Sequence, residues 1–149
     1  MTVLRLEDPA ATEAFGAKLA AHVKAGDVIA LTGTLGAGKT SLARGLLAAL
    51  GLVGEAPSPS FAIVQPYAPP EVRLPVLHVD LYRLAGVGEL EELGLEDALY
   101  DSALLVEWPD RAGPGAWPEA LALTLSIEAE GGRRLTAAVP LGWRERWPI

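Results

Sequence analysis

A chain of 149 residues with a net charge of −7, half of it apolar and 21% charged, is sized for one domain of ~100–150 residues and is too apolar to be mostly disordered. No apolar run approaches the ~18 residues of a membrane span, and Glu7 and Asp8 interrupt any signal peptide at the start, so a soluble cytoplasmic protein with 1–149 as a single domain is expected. Cys is absent and His22 and His78 are the only imidazoles, which excludes disulfides, thiol nucleophiles and thiolate zinc sites.

The chain starts with a short apolar stretch, Val3-Leu4-Arg5-Leu6. Asp8 followed by Pro9 reads as an N-cap with proline at the first helical position, and Gly26 as the matching stop, which predicts a helix over 9–25. Val28-Ile29-Ala30-Leu31-Thr32 is a continuous apolar, partly β-branched run, the pattern of a strand covered on both faces. A glycine-rich loop follows at once, and Leu42, Leu46, Leu47 and Leu50 then recur at helical spacing up to Gly51. Six prolines between 57 and 75 bound two short strand candidates, Phe61–Val64 and Val76–Asp80. Residues 84–110 hold eight acids and neither Lys nor Arg, and Glu89 to Tyr100 within them reads as helix with Gly94 as a dividing point. Ala103-Leu104-Leu105-Val106-Glu107 repeats the buried-strand pattern. Leu121, Leu123, Leu125 and Ile127 alternate with small or polar residues, and Gly131-Gly132 separates them from Leu135–Val139, which predicts an antiparallel hairpin with one wet face. Parallel-type strands joined by helices, then a hairpin, predict an α/β three-layer domain whose central sheet is mostly parallel and mixed at one edge.

Gly33-Thr34-Leu35-Gly36-Ala37-Gly38-Lys39-Thr40 satisfies G-x-x-x-x-G-K-[ST], a pattern that residue frequencies like these would produce by chance about 0.003 times per chain. Its place between a buried strand and an amphipathic helix is the place of the phosphate loop in P-loop NTPases. There glycines let successive backbone N–H groups curl around a phosphate chain, and the helix N-terminus adds partial positive charge. Leu35, Gly36, Ala37, Gly38, Lys39, Thr40 and Ser41 are therefore the nucleotide-binding candidates, with Lys39 directed to the β- and γ-phosphates and the Thr40 hydroxyl to Mg²⁺. Two apolar runs end in an acid, at Asp80 and Glu107. If both run parallel to the first strand, their C-terminal ends meet the phosphate site, because ligands of open α/β sheets bind outside those ends. Asp80 then fits the acid on the magnesium side and Glu107 the acid that orients water or supports the metal; the alternative for each is a charged strand terminus at the sheet rim.

Thr34-Leu35-Gly36-Ala37-Gly38-Lys39-Thr40, Ser58-Pro59-Ser60-Phe61, His78-Val79-Asp80-Leu81-Tyr82-Arg83, Glu91-Glu92-Leu93-Gly94 and Val106-Glu107-Trp108-Pro109 stand in the order seen in the TsaE family, and the resemblance runs from about Thr12 to Arg133. The resemblance implies a small bacterial ATPase of tRNA threonylcarbamoyladenosine synthesis, with ATP and Mg²⁺ as ligands and TsaD and TsaB as protein partners, tRNA being met only through that complex. It implies the phosphate and magnesium roles for Lys39 and Thr40, a Walker-B-like role for Asp80, a role tied to magnesium and catalysis for Glu107 with Trp108 beside it, and a place near the nucleotide for Thr12, whose alternative is an ordinary helix surface. Thr34 stands where the family has Asp, Ser60 where it has Thr, and Asp110 where it has Glu. Ser60 keeps a hydroxyl, so a switch-like contact to the γ-phosphate or magnesium is retained.

Other residues read more plainly. His78 fits a hydrogen-bonded core residue better than a base, Trp117, Trp143 and Trp147 fit packing, and Arg133 and Arg134 after the hairpin turn fit solvated surface better than a nucleotide contact. Two other functions share the fold, a small-molecule kinase and a nucleotide-gated binding module with negligible turnover. The kinase reading lacks an arginine-rich lid, since Arg111 is the only Arg between Arg83 and Arg133. The acidic stretch offers a docking face, or a helix with a solvated side.

Overall fold

The computed structural model describes residues 2–34, 36–54, 64–84, 86–113 and 115–147. Leu35, the Ser58-Pro59-Ser60-Phe61 motif and most of the Phe61–Val64 strand candidate lie outside them.

The elements run β1 (Thr2–Leu6), α1 (Pro9–Ala20), β2 (Val28–Thr32), α2 (Lys39–Ala49), β3 (Val64–Tyr67), β4 (Val76–Asp80), α3 (Val87–Glu92), α4 (Leu95–Ala98), β5 (Ala103–Glu107), β6 (Leu121–Ile127) and β7 (Arg133–Ala138). One seven-stranded sheet takes the order β1-β7-β6-β2-β5-β4-β3. Its four central strands, β6, β2, β5 and β4, are parallel. Antiparallel strands flank them on both sides, β7 and β1 at one edge and β3 at the other. The sheet is thus mixed at both edges rather than one, because the apolar start of the chain is itself a strand that pairs with β7, and because β3 returns against β4. Pro66, which has no N–H to donate, sits in β3, where an edge strand tolerates it.

Alternation along the central strands sends side chains into two separate cores. Ile29, Leu31, Val76 and Leu105 join Phe15, Leu19, Leu42 and Leu46 of α1 and α2 on one face. Val28, Val79, Leu104 and Val106 join Leu95, with Leu90, Leu93 and Trp117 packed against them, on the other. Sheet strands buried on both faces account for the continuous apolar runs in the sequence, and the result is the expected three layers. Leu121, Leu123 and Leu125 of the hairpin are buried while Thr124 and Ser126 are exposed.

Helix α1 starts where the sequence places it, with the Asp8 carboxylate accepting from Ala11 N–H at 2.8 Å, but it ends at Ala20 instead of residue 25. Its last turn tightens, with the N–H groups of Ala21 and His22 reaching back three residues, and Asp27 then accepts from Lys24 N–H, which closes a turn into β2. Gly94 divides the acidic helical stretch into α3 and α4. Trp143 is buried and Trp147 meets Phe15 edge-on, so both are packing residues as expected. Among the described residues, no helix is long and apolar enough to cross a membrane.

Candidate functional site

The strand–loop–helix unit β2–α2 positions the phosphate loop at the C-terminal end of the parallel strands. Gly36 and Gly38 take φ 81° and 108°, conformations that side-chain-bearing residues rarely adopt, and Gly38 is the N-cap of α2. The loop therefore turns its backbone over the first turn of α2, where Lys39 is buried and Thr40 and Ser41 are half-buried. Thr12 is also buried. A Cβ placed on Gly38 would stand 3.5 Å from Thr12 Cγ2, so Thr12 backs the loop and is not a helix-surface residue.

Parallel pairing brings the two acids together. Asp80 and Glu107 are register partners at the ends of β4 and β5, and Glu107 is in turn beside Leu31 of β2, one residue before the strand gives way to the loop. Their side chains share a face with Val76 and Leu105, the face that carries α1 and α2. Asp80 accepts from Tyr82 N–H at 2.9 Å. Glu107 is buried and lies 2.7 Å from His78 Nε2 through Oε2. His78 is indeed a hydrogen-bonded core residue, and its partner is one of the site acids. The rim alternative does not describe Glu107, which is 3% exposed.

Lys39 reaches back into the loop, its ammonium donating to the carbonyls of Gly33 and Thr34 and lying 4.3 Å from the centroid of the Trp108 ring. Burial lowers its pKa below the usual lysine value, while the charges of Glu107 and Asp80 pull it back up. The Asp80 carboxyl moves the other way. Burial raises its pKa, the Tyr82 N–H bond opposes this, and the Glu107 charge adds to the rise. Trp108 is the one described non-glycine residue at positive φ, 59°, immediately after Glu107. Its ring meets Tyr82 at 4.9 Å between centroids, and the Arg111 guanidinium lies 5.5 Å from the Tyr82 ring, so Tyr82 and Arg111 extend the stack from Lys39 toward the surface.

Among the described residues there is no cluster of three or more His, Asp or Glu placed to hold a metal. The donor set instead suits Mg²⁺, which accepts few protein oxygens and keeps waters or phosphate oxygens in the rest of its shell. Thr40, Asp80 and Glu107 supply hard oxygens on converging elements, and Asp80 sits where a nearby positive charge would relieve its raised pKa.

Arg133 departs from the surface expectation. At the start of β7, it donates from Nε to Ala37 O at 3.1 Å and from Nη2 to Gly36 O at 3.0 Å, tying the crest of the loop to the hairpin. Arg134 fits the surface reading, exposed and paired with Glu128 at 3.0 Å. The alternation of the hairpin is the signal that distinguishes the two, because it separates neighbouring arginines onto opposite faces. A cavity of about 300 Å³ beside the loop is lined by Asp8, Thr12, Gly36, Gly38, Ser41 and Arg133 among others. Glu91, Glu92, Glu96 and Asp97 are exposed on α3 and α4.

The family model "Threonylcarbamoyl adenosine biosynthesis protein TsaE" matches residues 6–135. A TsaE protein of Streptomyces coelicolor is 46% identical over 94 residues, 62% of this chain and 64% of that relative, so the chain spans less than two thirds of its length. One from Mycobacterium leprae is 39% identical over 111 residues, 70% of this chain and 67% of the relative. One from Treponema pallidum is 30% identical over 128 residues, 85% and 93% respectively. The crystal structure of Bacillus subtilis YdiB superposes with a TM-score of 0.81 at 29% identity, covering 97% of this chain and 89% of that one. With the match running from the last residue of β1 to Leu135 in β7, and so including Arg133, the chain belongs to the TsaE family.

Proposed function

We propose that the chain is a single-domain, cytoplasmic Mg²⁺-dependent ATPase that serves bacterial tRNA N6-threonylcarbamoyladenosine synthesis together with TsaD and TsaB, meeting tRNA only through that assembly. The observation that supports this best is the meeting of three elements at one end of the sheet, the phosphate loop after β2 with Asp80 and Glu107 in register on the strands beyond it.

In this reading the loop N–H groups and the N-terminus of α2 bind the phosphate chain, and the Lys39 ammonium exchanges the carbonyls of Gly33 and Thr34 for β- and γ-phosphate oxygens. Thr40, Asp80 and Glu107 hold Mg²⁺, directly or through its waters. Held there, the metal would supply charge neutralisation on the phosphates. Glu107, fixed in place, also orients water for attack, and Trp108 stays beside the transferring phosphate. Thr12 and the cavity next to Gly36 take the nucleoside end. Burial strengthens each of these interactions relative to water.

The test is phosphate release and calorimetric ATP binding, each with and without TsaD and TsaB. Lys39→Ala should abolish tight ATP binding, whereas Glu107→Ala should keep much of the affinity and lose hydrolysis, because water orientation matters more in the transition state than in the ground state. Undiminished ATP affinity in Lys39→Ala would defeat the phosphate-loop assignment. Binding without turnover under every condition would leave a nucleotide-gated module in place of an ATPase.

A further inference from the structure

His78 occupies the middle of β4, in register with Leu105, at 1% exposure. Its neighbours on that face are Val76 and Leu105, apolar members of the core under α1 and α2, and, toward the strand ends, Asp80 and Glu107. An aliphatic side chain would fill such a position without cost, whereas the imidazole brings two polar nitrogens into it. Nδ1 is buried with no hydrogen-bond partner among the described residues. A half-satisfied buried polar group does not recommend itself as a stability device. Its one side-chain bond among the described residues, Nε2 to Glu107 Oε2 at 2.7 Å, is therefore what the residue is there for. A carboxylate only accepts, so Nε2 carries the hydrogen and donates it.

The other acid is treated alike. Asp80 has Oδ1 fixed by Tyr82 N–H at 2.9 Å, and Glu107 has Oε2 fixed by His78. Each of the two register partners thus has one carboxylate oxygen anchored by the protein, which sets the direction of the second.

We propose that His78 is a positioning residue, whose Nε2–H locks Glu107 in one orientation so that Oε1 is the oxygen offered to the metal and the water at the phosphate site. It acts through Glu107 and touches neither ligand. The proposal rests on the nucleotide reading above, and its test separates the two. His78→Gln keeps a donor at the end of a side chain of similar reach. His78→Met matches Gln in length and packs in a core, but cannot donate.

Binding of a non-hydrolysable ATP analogue is measured by calorimetry with and without Mg²⁺, and ATP turnover in parallel, at a temperature where circular dichroism shows both variants folded. In His78→Met the magnesium-free affinity should stay within about twofold of wild type. The affinity gained on adding Mg²⁺ and kcat should each fall 10–100-fold, the usual loss when a residue supporting a metal ligand is removed. His78→Gln should recover most of both. In the Glu107→Ala background His78→Met should have no further effect, because its only route to the site is gone. Wild-type magnesium dependence and turnover in His78→Met, equal losses in Met and Gln, or additive losses with Glu107→Ala would each overturn the proposal. Absence of analogue binding by the wild-type protein would instead defeat the nucleotide reading.

Discussion

Helix α2 carries the residues proposed to bind phosphate, and its position depends on a glycine at each side of its crossing with α1. A Cβ added at Gly45 would stand 2.0 Å from Glu13 O and 2.7 Å from Glu13 Cα; one at Gly16 would stand 2.1 Å from Leu42 O. The obstacle is backbone in both cases, so no rotamer change relieves it. Reaching ordinary contact, 3.4 Å or more, requires the helices to move over an ångström apart. That movement opens a seam in which Leu19, Leu42 and Leu46 are fully buried. Overpacking typically costs ~1–3 kcal/mol, and the loosened leucine contacts place this site at the upper end. Alanine recovers ~1 kcal/mol of helix propensity. Gly45→Ala should therefore lose about 2 kcal/mol, which at ~2–4 °C per kcal/mol for a chain of this size lowers Tm by roughly 4–8 °C. Gly88→Ala in α3, where an added methyl would meet nothing within 4 Å, should instead be neutral or gain up to ~1 kcal/mol. Urea unfolding followed by circular dichroism measures both. An unfolding midpoint for Gly45→Ala equal to that of wild type would refute the close crossing.

Asp80→Asn should separate stability from binding. The folded pKa of Asp80 is raised, so its contribution favours the fold at pH below the unfolded carboxylate value and is lost as pH rises through the folded one. At pH 7 the ionised group is a cost that Asn removes. The variant should be at least as stable as wild type at pH 7, lose that advantage in acid, and fail to show magnesium-enhanced nucleotide binding; destabilisation confined to pH 7 would contradict the sign. Arg133→Ala removes two bonds from a charged donor to the loop, and about tenfold weaker ATP binding by calorimetry is expected, with unchanged affinity reducing Arg133 to a structural tie. ATP-bound and ADP-bound protein should differ in affinity for the TsaD and TsaB assembly by ~1–3 kcal/mol. Charge reversal at Glu89, Glu91, Glu92 and Glu96 should weaken that association and spare ATP binding, and equal affinities in both nucleotide states would refute the switch.

The strands that build the site are legible in the sequence because they are covered on both faces and read as unbroken apolar runs ending in an acid. Val76–Asp80 and Ala103–Glu107 have the predicted bounds for that reason. The short strand β1 carries a weaker signal. At an edge it buries little, with Val3 60% exposed, and its pairing with β7 spans nearly the whole chain. Helix α1 is shorter than its pattern predicts because Gly26 marks the turn into β2 and not the helix end, the last turn having already closed at His22. The roles of His78 and Arg133 depend on contacts far apart in sequence, 29 residues to Glu107 and 96 to Ala37, which local pattern does not encode. Strand alternation fixes the face of each side chain, and only the sheet order fixes its neighbour.

The site concentrates features that an isolated fold would avoid. Lys39 is desolvated and its pKa lowered, Asp80 is desolvated and its pKa raised, and Trp108 holds a positive φ directly after Glu107. The first two shifts have one remedy. A phosphate anion at the loop would favour the ammonium, and a divalent cation near Asp80 would favour its carboxylate, so each ligand relieves a cost that the other leaves standing. The ligands should then bind with positive coupling, magnesium tightening the triphosphate and the triphosphate tightening magnesium by the same factor. Because the unfolded chain lacks the loop, that binding also adds to stability, ~2.7 kcal/mol at a hundredfold excess over Kd. Strain and burial at this end of the sheet are thus costs that the proposed nucleotide and metal would offset together.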